Sequence, residues 1–360
     1  MRPPLPLALR LALPCALLSA AACQTAPVRP EAARADAPMP GTRLEKCGRV
    51  LGLGEGEAWD AGMVESPTVW FDEATRRYGM LYVGYGRRPG TVGYGYDKVT
   101  APHLGLAWSP DGRAWTKDPR NPVYRGDATG ATGPFLWREG GLYHVYYIST
   151  TEAGYEKGTK TINHATSTNL VDWTPDPLNP MVAPAGTGWR AEAAWRPYVV
   201  KEGNRYLMFF NASGVVDGLH EETVGLATST DLRRWTVDDA RSPLLVGSRT
   251  PGAWDAMGRT GDPSVYRVGD RWYMAYYSWD RTHAQDGLAW TTAAAFPYGW
   301  QPYAGNPIVR IGAPGAFDAL HAHKPTVFRH AGQHFHYYTA VDTAQVRTIG
   351  LALDGGCGAR

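Results

Sequence analysis

The sequence predicts an all-β protein, a five-bladed β-propeller with four antiparallel strands per blade and a ring that the N-terminal strand closes. Three observations lead to this prediction: a repeated proline motif, four strand-like segments in each repeat, and a missing last strand that the N-terminus can supply. The repeats are centred on prolines spaced 62 to 67 residues apart, which are Pro67, Pro134, Pro197, Pro263 and Pro325. Self-similarity at this period in short strands is typical of radially repeated sheets.

Each repeat contains the same succession of four strand-like segments. In the first repeat they are PTVWF at 67–71, the aromatic alternating segment YGMLYVGY at 78–85, GLAWSPDGRAWT at 105–116 and the short proline-led segment NPVYR at 121–125. Short period-two runs separated by turn residues build antiparallel sheets. We therefore expect four strands in each blade.

The fifth repeat lacks its fourth strand, and residues near the N-terminus can supply it. Arg49–Leu53 stand where NPVYR stands before the next repeat. We therefore expect this strand to complete the last blade of a propeller domain that spans residues 47–360. Cys47 and Cys357 lie at the two ends of that domain, and an exported chain permits disulfides. We expect these cysteines to pair, with two unpaired thiols as the alternative.

The first residues have the features of an exported protein. The apolar run Leu11–Ala22 follows two arginines, is too short to span a bilayer comfortably and has the shape of a secretory signal. Small residues before Cys23 resemble a bacterial lipobox, so we predict a lipoprotein-type signal peptide at 1–23 with Cys23 lipidated; an ordinary signal peptide is the alternative. Residues 24–46 are rich in Pro and Ala and indicate a tether. We expect a lipid-anchored protein of the bacterial cell envelope, or an extracellular one, that meets the membrane only through its lipid.

Composition excludes some partners. The formal net charge is +2, with 19% charged and 12% aromatic residues. Lysines and arginines form no cluster dense enough to follow a phosphate backbone, so we expect no nucleic-acid partner. The sequence has no CxxC or HExxH spacing for zinc, and we expect no metal site and no required cofactor. We expect a monomer.

The repeats allow an internal comparison that separates blade residues from site residues. Positions that carry the same residue in every repeat stabilise the blade structure. In-register positions whose residues differ between repeats have a role in one part of the protein only. An aspartate recurs in four repeats, at 60, 127, 255 and 318, and we interpret it as a turn or cap device. The two residues before each proline differ instead, and they are Glu65–Ser66, Thr132–Gly133, Trp195–Arg196, Gly261–Asp262 and His323–Lys324.

These pre-proline side chains are expected to meet around the axis at one mouth of the propeller, because the first strand of a blade is the innermost. Charged groups there would be desolvated unless they are paired or bind a ligand. A structural network of salt bridges is the alternative. The loops between second and third strands should open on the same mouth. Our candidates for contact with a ligand are Arg196, Arg259, His323, Lys324, Trp195, His103 and Trp279.

With five blades, a lipoprotein-type leader and repeated S-x-[DN]-[GL]-x-x-W-T turns, the chain resembles the five-bladed glycosidase superfamily. This superfamily includes glycoside hydrolase family 43, the related families 32, 62 and 117, and the family 130 mannoside phosphorylases. The resemblance covers about residues 48–356. It implies an oligo- or polysaccharide substrate of plant, algal or microbial type, cleaved by carboxylate acid/base catalysis at the propeller mouth. A Ca²⁺ ion in the axial channel occurs in relatives.

The family 43 pattern places a general-base Asp before the first-blade proline, a second Asp in the third blade and a general-acid Glu in the fourth. Here Glu65 stands one place off the first position, Arg196 holds the third-blade position with Glu192 four residues earlier, and Asp262 holds the fourth. The offset matters because neighbours on a strand point to opposite faces. We predict Asp262 and Glu65 as the acid/base pair, in unassigned order, and Glu192 as a third member. Amide replacement of Glu65 or Asp262 is expected to abolish turnover with folding intact.

Two other functions fit the same residues. The basic members of the site suggest a family 130-like phosphorylase, in which a basic cluster holds phosphate as the attacking group, although phosphorolysis conserves energy mainly inside the cell. A glycan-binding surface lipoprotein that has lost catalysis is the remaining alternative.

Overall fold

The computed structural model describes residues 39–152, 155 and 157–358. The predicted signal peptide, with Cys23, and residues 24–38 of the predicted tether lie outside the described residues. Within the described residues the chain forms twenty β-strands and one 3₁₀ turn, Tyr96–Lys98. No helix in this described part has the length and apolar character needed to cross a membrane.

The strands form three sheets of four strands and one sheet of eight. The first sheet consists of β2 (Met63–Asp72), β3 (Arg77–Arg87), β4 (Val99–Ser109) and β5 (Thr116–Lys117). The second consists of β6 (Thr132–Glu139), β7 (Leu142–Thr150), β8 (Lys160–Ser167) and β9 (Thr174–Pro175). The third consists of β10 (Ala193–Glu202), β11 (Arg205–Val216), β12 (Leu219–Ser229) and β13 (Thr236–Val237). The eight-stranded sheet consists of β14 (Thr260–Val268), β15 (Arg271–Trp279), β16 (Ala284–Thr292), β17 (Gln301–Pro302), β18 (His321–His330), β19 (Gln333–Val341), β20 (Arg347–Asp354) and β1 (Leu44–Leu51).

The eight-stranded sheet joins two sets of four strands at one point. Gln285 of β16 pairs in parallel with Ala322 of β18, while the strands within each set pair antiparallel. The first strands of the five sets contact one another in succession, β2 with β6, β6 with β10, β10 with β14 and β14 with β18, and β18 also contacts β2. This all-β organisation in sets of four strands is consistent with the predicted propeller.

Strand β1 occupies the outer edge of the last set. It pairs antiparallel with β20, from Leu44 opposite Asp354 onward, so ordered strand begins three residues before the domain start at 47 that the sequence suggested. Cys47 of β1 forms a disulfide with Cys357, and their Cα atoms lie 5.3 Å apart. The bond joins the strand to the chain just after β20.

The recurrent aspartates support the same placement of β1. Asp60 accepts hydrogen bonds from the Tyr82 hydroxyl at 3.0 Å and pairs with Lys117 of β5 at 2.6 Å. Asp318 accepts from the Tyr338 hydroxyl at 2.9 Å and pairs with Lys46 of β1 at 2.6 Å, in the same geometry. Strand β1 therefore occupies the position in the last set that β5 occupies in the first set. Each of the two aspartates binds side chains of its own sheet.

The residue before each repeat proline has an unusual backbone. All five lie in the left-handed region, with φ between 52° and 61°: Ser66, Gly133, Arg196, Asp262 and Lys324. The pairing register shifts at the same place in every set, as between Glu65 and Thr68 on β2. An extra residue of this kind bends the strand and re-aims its side chains. The bulge interrupts the period of two, so alternation alone does not give the side-chain directions here: His323 and Lys324 both line one cavity, whereas Trp195 lines it and Arg196 does not.

Glycine is required at the second of these bulges. A Cβ atom on Gly133 would lie 2.4 Å from Ile148 Cδ1 and 3.1 Å from Arg196 Cδ, and the backbone φ there is +53°. We expect Gly133→Ala to lower the free energy of unfolding by about 1–3 kcal/mol, as overpacked core positions do. Denaturant unfolding measures the change. Ser66→Ala is the matched control, because Ser66 has the same φ and already carries a Cβ; equal effects of the two substitutions would contradict the crowding.

Candidate active site

A cavity of about 260 Å³ opens at the end of the sheets where the bulged first strands begin. Its lining combines aromatic, cationic and carboxylic side chains, and consists of Tyr96, Tyr155, Lys160, Trp195, Glu222, Arg259, Asp262, Tyr277, Trp279, Ala284, His321, His323, Lys324 and Arg347. Several aromatic rings with a few convergent polar groups are typical of a small-molecule site. The cavity is therefore the candidate active site.

Two registers of the repeat supply most of the lining. The pre-proline bulges contribute Trp195, Asp262, His323 and Lys324. The starts of the third strands contribute residues that stand five places before an alanine repeated in each set, namely Lys160, Glu222, Ala284 and Arg347. Adjacent residues His323 and Lys324 both reach the cavity, which the bulge makes possible.

Glu222 and Asp262 form a carboxyl pair that one buried amide bridges. The Nδ2 atom of Asn211 donates to Glu222 Oε1 at 3.1 Å and to Asp262 Oδ1 at 3.0 Å. Since both oxygens bond to one nitrogen, they lie within about 6 Å of each other. Asn211 Oδ1 also accepts from the Asp262 backbone N–H at 2.5 Å. A Cβ on Gly261 would lie 2.3 Å from Asn211 Nδ2, so glycine permits this close approach.

The environments of the two carboxyl groups differ. Burial raises the pKa of Glu222 to about 7, the hydrogen bond from Tyr277 lowers it, and the nearby charge of Asp262 raises it further. Asp262 is 3% exposed and has a counter-ion, because Arg196 Nε lies 3.2 Å from its Oδ1. The pKa of Glu222 is therefore raised to about 7 beside a second carboxyl group, that of Asp262, which is ion-paired with a guanidinium. Such a difference is typical of an acid and its partner carboxylate.

Glu65, predicted as a catalytic residue, does not line the cavity. It is fully buried, and its Oε2 accepts from Lys324 Nζ and from the Tyr96 hydroxyl, both at 2.8 Å. Burial acts to raise its pKa, but Lys324 and Arg347 outweigh that effect, so the pKa of Glu65 is lowered. The sequence prediction is corrected here: Glu65 is the counter-ion beneath two lining residues, its lowered pKa does not suit the acid, and its burial away from the cavity does not suit the partner base.

Three more predicted residues lie away from the main cavity. Glu192 is exposed and pairs with His220 at 2.7 Å, so it is no member of the carboxyl pair. His103 is half-buried, and its Nδ1 lies 3.3 Å from the carbonyl oxygen of Arg125. Arg196 is buried and faces a smaller cavity among the repeat prolines, so it acts through Asp262 and does not meet a ligand directly. The other predicted residues, Arg259, His323, Lys324, Trp195, Trp279 and Asp262, line the main cavity.

Glu222, Lys160 and Arg347 are lining residues that the sequence reasoning missed. Residues at the starts of the third strands differ between repeats in the same way as those before the prolines. Counting five residues back from Ala107, Ala165, Ala227, Ala289 and Ala352 gives Pro102, Lys160, Glu222, Ala284 and Arg347. These in-register residues differ as much as the pre-proline residues do, and this signal points to the same cavity.

Within residues 39–152, 155 and 157–358, no group of three or more His, Cys, Asp and Glu side chains is placed to hold a metal ion. The two cavity histidines are neutral bases: burial lowers the pKa of His321 to about 4, and burial followed by the charge of Lys324 lowers that of His323 well below its usual value. The carboxyl groups that line the cavity can transfer protons, and its cationic side chains can bind anions.

Comparisons with known proteins agree with this fold. The family model described as the glycosyl hydrolases family 32 N-terminal domain matches residues 131–292. A solved structure described as a glycoside hydrolase has a TM-score of 0.69 at 20% identity, covering 88% of this chain and 94% of its own. A glycosyl hydrolase from Bacteroides ovatus has a TM-score of 0.62 at 18% identity, with coverages of 90% and 94%.

A further structure comes from work on the GH130 family of mannoside phosphorylases, which contains glycoside hydrolases that target β-1,2 mannosidic linkages in Candida mannan. Its TM-score is 0.62 at 17% identity, with 86% of this chain and 93% of that chain covered. Among curated proteins, none matches this sequence. The resemblance to the propeller glycosidase superfamily is confirmed, and at these identities the solved structures establish the shared fold.

Proposed function

We propose that the protein is a glycoside hydrolase in which Glu222 is the general acid and Asp262 is the partner carboxylate. The observation that carries the proposal is the bridge from Asn211 to both carboxyl groups, together with the pKa of Glu222, which burial raises to about 7. Glycosidic cleavage needs an acid that protonates the leaving oxygen and a carboxylate that activates water or attacks the sugar. The pair supplies both groups at one cavity.

The roles follow from the surroundings of each group. Glu222, whose pKa is raised to about 7, gives its proton to the departing oxygen, while Arg196 is the counter-ion of Asp262. The nearest oxygens of the pair lie within about 6 Å, which is at the short end of the spacings used by glycosidases and supports direct attack by Asp262 with retention at the anomeric carbon. The rings of Trp195 and Trp279 offer faces on which a sugar ring can stack.

We further propose that the five sets of strands close into a five-bladed ring, with the cavity at its mouth. Contacts of β18 with β2 and the matched Asp–Lys pairs of β5 and β1 support this closure. Export, lipidation at Cys23, a monomeric state and the absence of a required cofactor stay predictions from the sequence.

Phosphorolysis is the second candidate, because four cationic side chains line the same cavity: Lys160, Arg259, Lys324 and Arg347. In that reaction phosphate replaces water as the attacking group and the product is a sugar 1-phosphate. Lys324 and Arg347 face the buried carboxylate of Glu65, and this negative charge weakens their attraction for phosphate. Hydrolysis is therefore the stronger proposal.

The test is incubation of the purified protein with arabinan, xylan, mannan and agar-derived oligosaccharides, each with and without inorganic phosphate. We expect free reducing sugar at equal rates in both conditions, with anomeric retention by proton NMR. A rate that depends on phosphate, with sugar 1-phosphate as product, would establish the phosphorylase. Binding of a glycan with no turnover under either condition would establish a non-catalytic glycan-binding protein.

A further inference from the structure

An acid and a base occupy two core positions that are apolar in the other sets of strands. Three residues before the repeated alanine of each third strand stand Leu104, Ile162, Val224, Asp286 and Ile349. Opposite that alanine on each second strand stand Met80, Val145, Met208, Met274 and His336. All of these side chains are fully buried. The comparison between repeats therefore marks Asp286 and His336 as residues with a local role.

Asp286 and His336 contact each other where the fourth and fifth sets meet. His336 Nε2 on β19 lies 2.9 Å from Asp286 Oδ2 on β16. Among the described residues, the other carboxyl oxygen of Asp286 and the other ring nitrogen of His336 have no hydrogen-bond partner. A buried polar pair that is only partly satisfied stabilises a fold less than well-packed apolar residues do. Stability therefore does not account for the presence of this pair.

The surroundings of the pair keep both groups neutral. Burial raises the pKa of Asp286 well above its usual value, although Lys46 acts to lower it. Burial, followed by the charge of His334, lowers the pKa of His336 to about 3. Tyr338, which Asp286 also influences, has its pKa raised well above the usual value and stays a neutral phenol. The carboxyl group of Asp286 therefore holds the shared proton and donates it to Nε2 of a neutral imidazole.

Asp286 lies behind the carboxyl pair of the candidate active site. Gly261, the neighbour of Asp262, pairs with Tyr277, and Tyr277 pairs with Asp286 on the next strand. After burial, the charge of Asp262 is the largest contribution that raises the pKa of Asp286, whereas Arg196, the counter-ion of Asp262, acts to lower it. The proton affinity of Asp286 therefore depends on the charge that Asp262 carries.

We propose that Asp286 and His336 are positioning residues that balance the charge of Asp262 during the reaction. While Asp262 is a carboxylate, Asp286 keeps the proton. When Asp262 attacks the sugar and becomes a glycosyl ester, it loses its charge. The O–H bond of Asp286 then breaks, an N–H bond forms at His336 Nε2, and the new carboxylate supplies the negative charge that Arg196 has lost. The proton stays inside the protein. This inference rests on the proposed glycosidase function.

The experiment is nitrogen NMR of the full chain, labelled at its histidine side chains, at pH 7 and without substrate. Asp262→Asn imitates the uncharged ester. In the native protein His336 should show one protonated and one unprotonated ring nitrogen. In Asp262→Asn the resonance of the unprotonated nitrogen should be lost, because both nitrogens carry a proton. His164 is the matched control, since its Nδ1 lies 3.0 Å from Asp176 Oδ2 in another buried pair, and it should not change.

Asp286→Asn provides a measurement that does not depend on the folding of Asp262→Asn. The amide N–H can donate to His336 Nε2 as the protonated acid does, but it cannot give up its proton. The midpoint of denaturant unfolding should therefore stay nearly unchanged. On oligosaccharides kcat should fall roughly 10-fold with KM unchanged, the size of one charge interaction inside a protein.

Replacement of both residues separates this role from packing. Asp286→Val combined with His336→Met restores the residue types that the other sets have at these positions. This double variant should be at least as stable as the native protein, yet it should show the same loss of kcat.

An unchanged His336 in Asp262→Asn would overturn the proposal, and so would a doubly protonated His336 when Asp286→Asn is added. A large loss of stability in Asp286→Asn would show that the resting pair is charged and would also overturn it, as would a native kcat in that variant. The NMR and unfolding measurements do not need turnover. Proton transfer to His336 in a protein that cleaves nothing would reject the hydrolase and keep the coupling between Asp262 and this pair.

Discussion

Glu222→Gln is expected to lower kcat about 10²- to 10⁴-fold on oligosaccharides, while the protein stays folded. The amide keeps the acceptor for Asn211 Nδ2, which donates to Glu222 Oε1 at 3.1 Å, but it cannot give up a proton. A sugar leaving group has a high pKa and departs only when its oxygen is protonated. A nitrophenyl leaving group has a low pKa and needs little help, so nitrophenyl glycosides should lose far less rate. Steady-state kinetics with both types of substrate measure the difference.

The pH profile provides a second readout of the same role. In the native enzyme kcat/KM should fall as pH rises through about 7, because the pKa of Glu222 lies there and only its protonated form is the acid. The substitution should remove this alkaline limb. Glu192→Gln is the control, since Glu192 is exposed and pairs with His220, and it should leave rate and profile unchanged. If the alkaline limb of the pH profile is unchanged in Glu222→Gln, Glu222 is not the general acid.

The first three strands of each set and the edge position of β1 could be predicted from the sequence because both depend on local signals. The fourth strand of the first set lies elsewhere than predicted: it is Thr116–Lys117, whereas the predicted segment at 121–125 contributes an isolated bridge between Leu104 and Tyr124. A proline followed by an alternating run specifies a strand, and five copies allow the pattern to be recognised despite variation in each. The disulfide between Cys47 and Cys357 follows from the same reasoning, since the fifth repeat lacked a strand that the N-terminus could supply. Repetition makes long-range pairing visible in a linear sequence.

The pairing inside the site could not be predicted in this way. Glu65 and Lys324 are 259 residues apart; the sequence placed both at one mouth and left a salt-bridge network there as an alternative, but it did not indicate which groups pair. The bulge before each proline adds a second difficulty, because it needs a left-handed φ at residues such as Arg196 and Lys324 that ordinarily avoid it. Period-two reasoning fails at such a position, and side-chain direction there has to come from coordinates.

Glu65→Gln is expected to destabilise the protein by about 3–5 kcal/mol, whereas the sequence alone led us to expect that the amide would fold normally. Glu65 is fully buried and Lys324 is 5% exposed, so the amide would leave a buried ammonium without its carboxylate. Arg347, 3.7 Å away, would lose the same counter-ion. Denaturant unfolding at neutral pH measures the loss, and Glu192→Gln should leave the unfolding midpoint in place.

The pH dependence of stability separates this ion pair from simple packing. The folded pKa of Glu65 is lowered below its ordinary value of 4.5, so its contribution to stability is present above about pH 4.5 and is lost as pH falls through the lower folded pKa. Glu65→Gln should therefore be less stable at neutral pH and lose less on acidification. Combining it with Lys324→Met removes the orphaned charge and should restore part of the loss. If the double variant is no more stable than Glu65→Gln, the lost stability comes from packing around Glu65 and not from its pairing with Lys324.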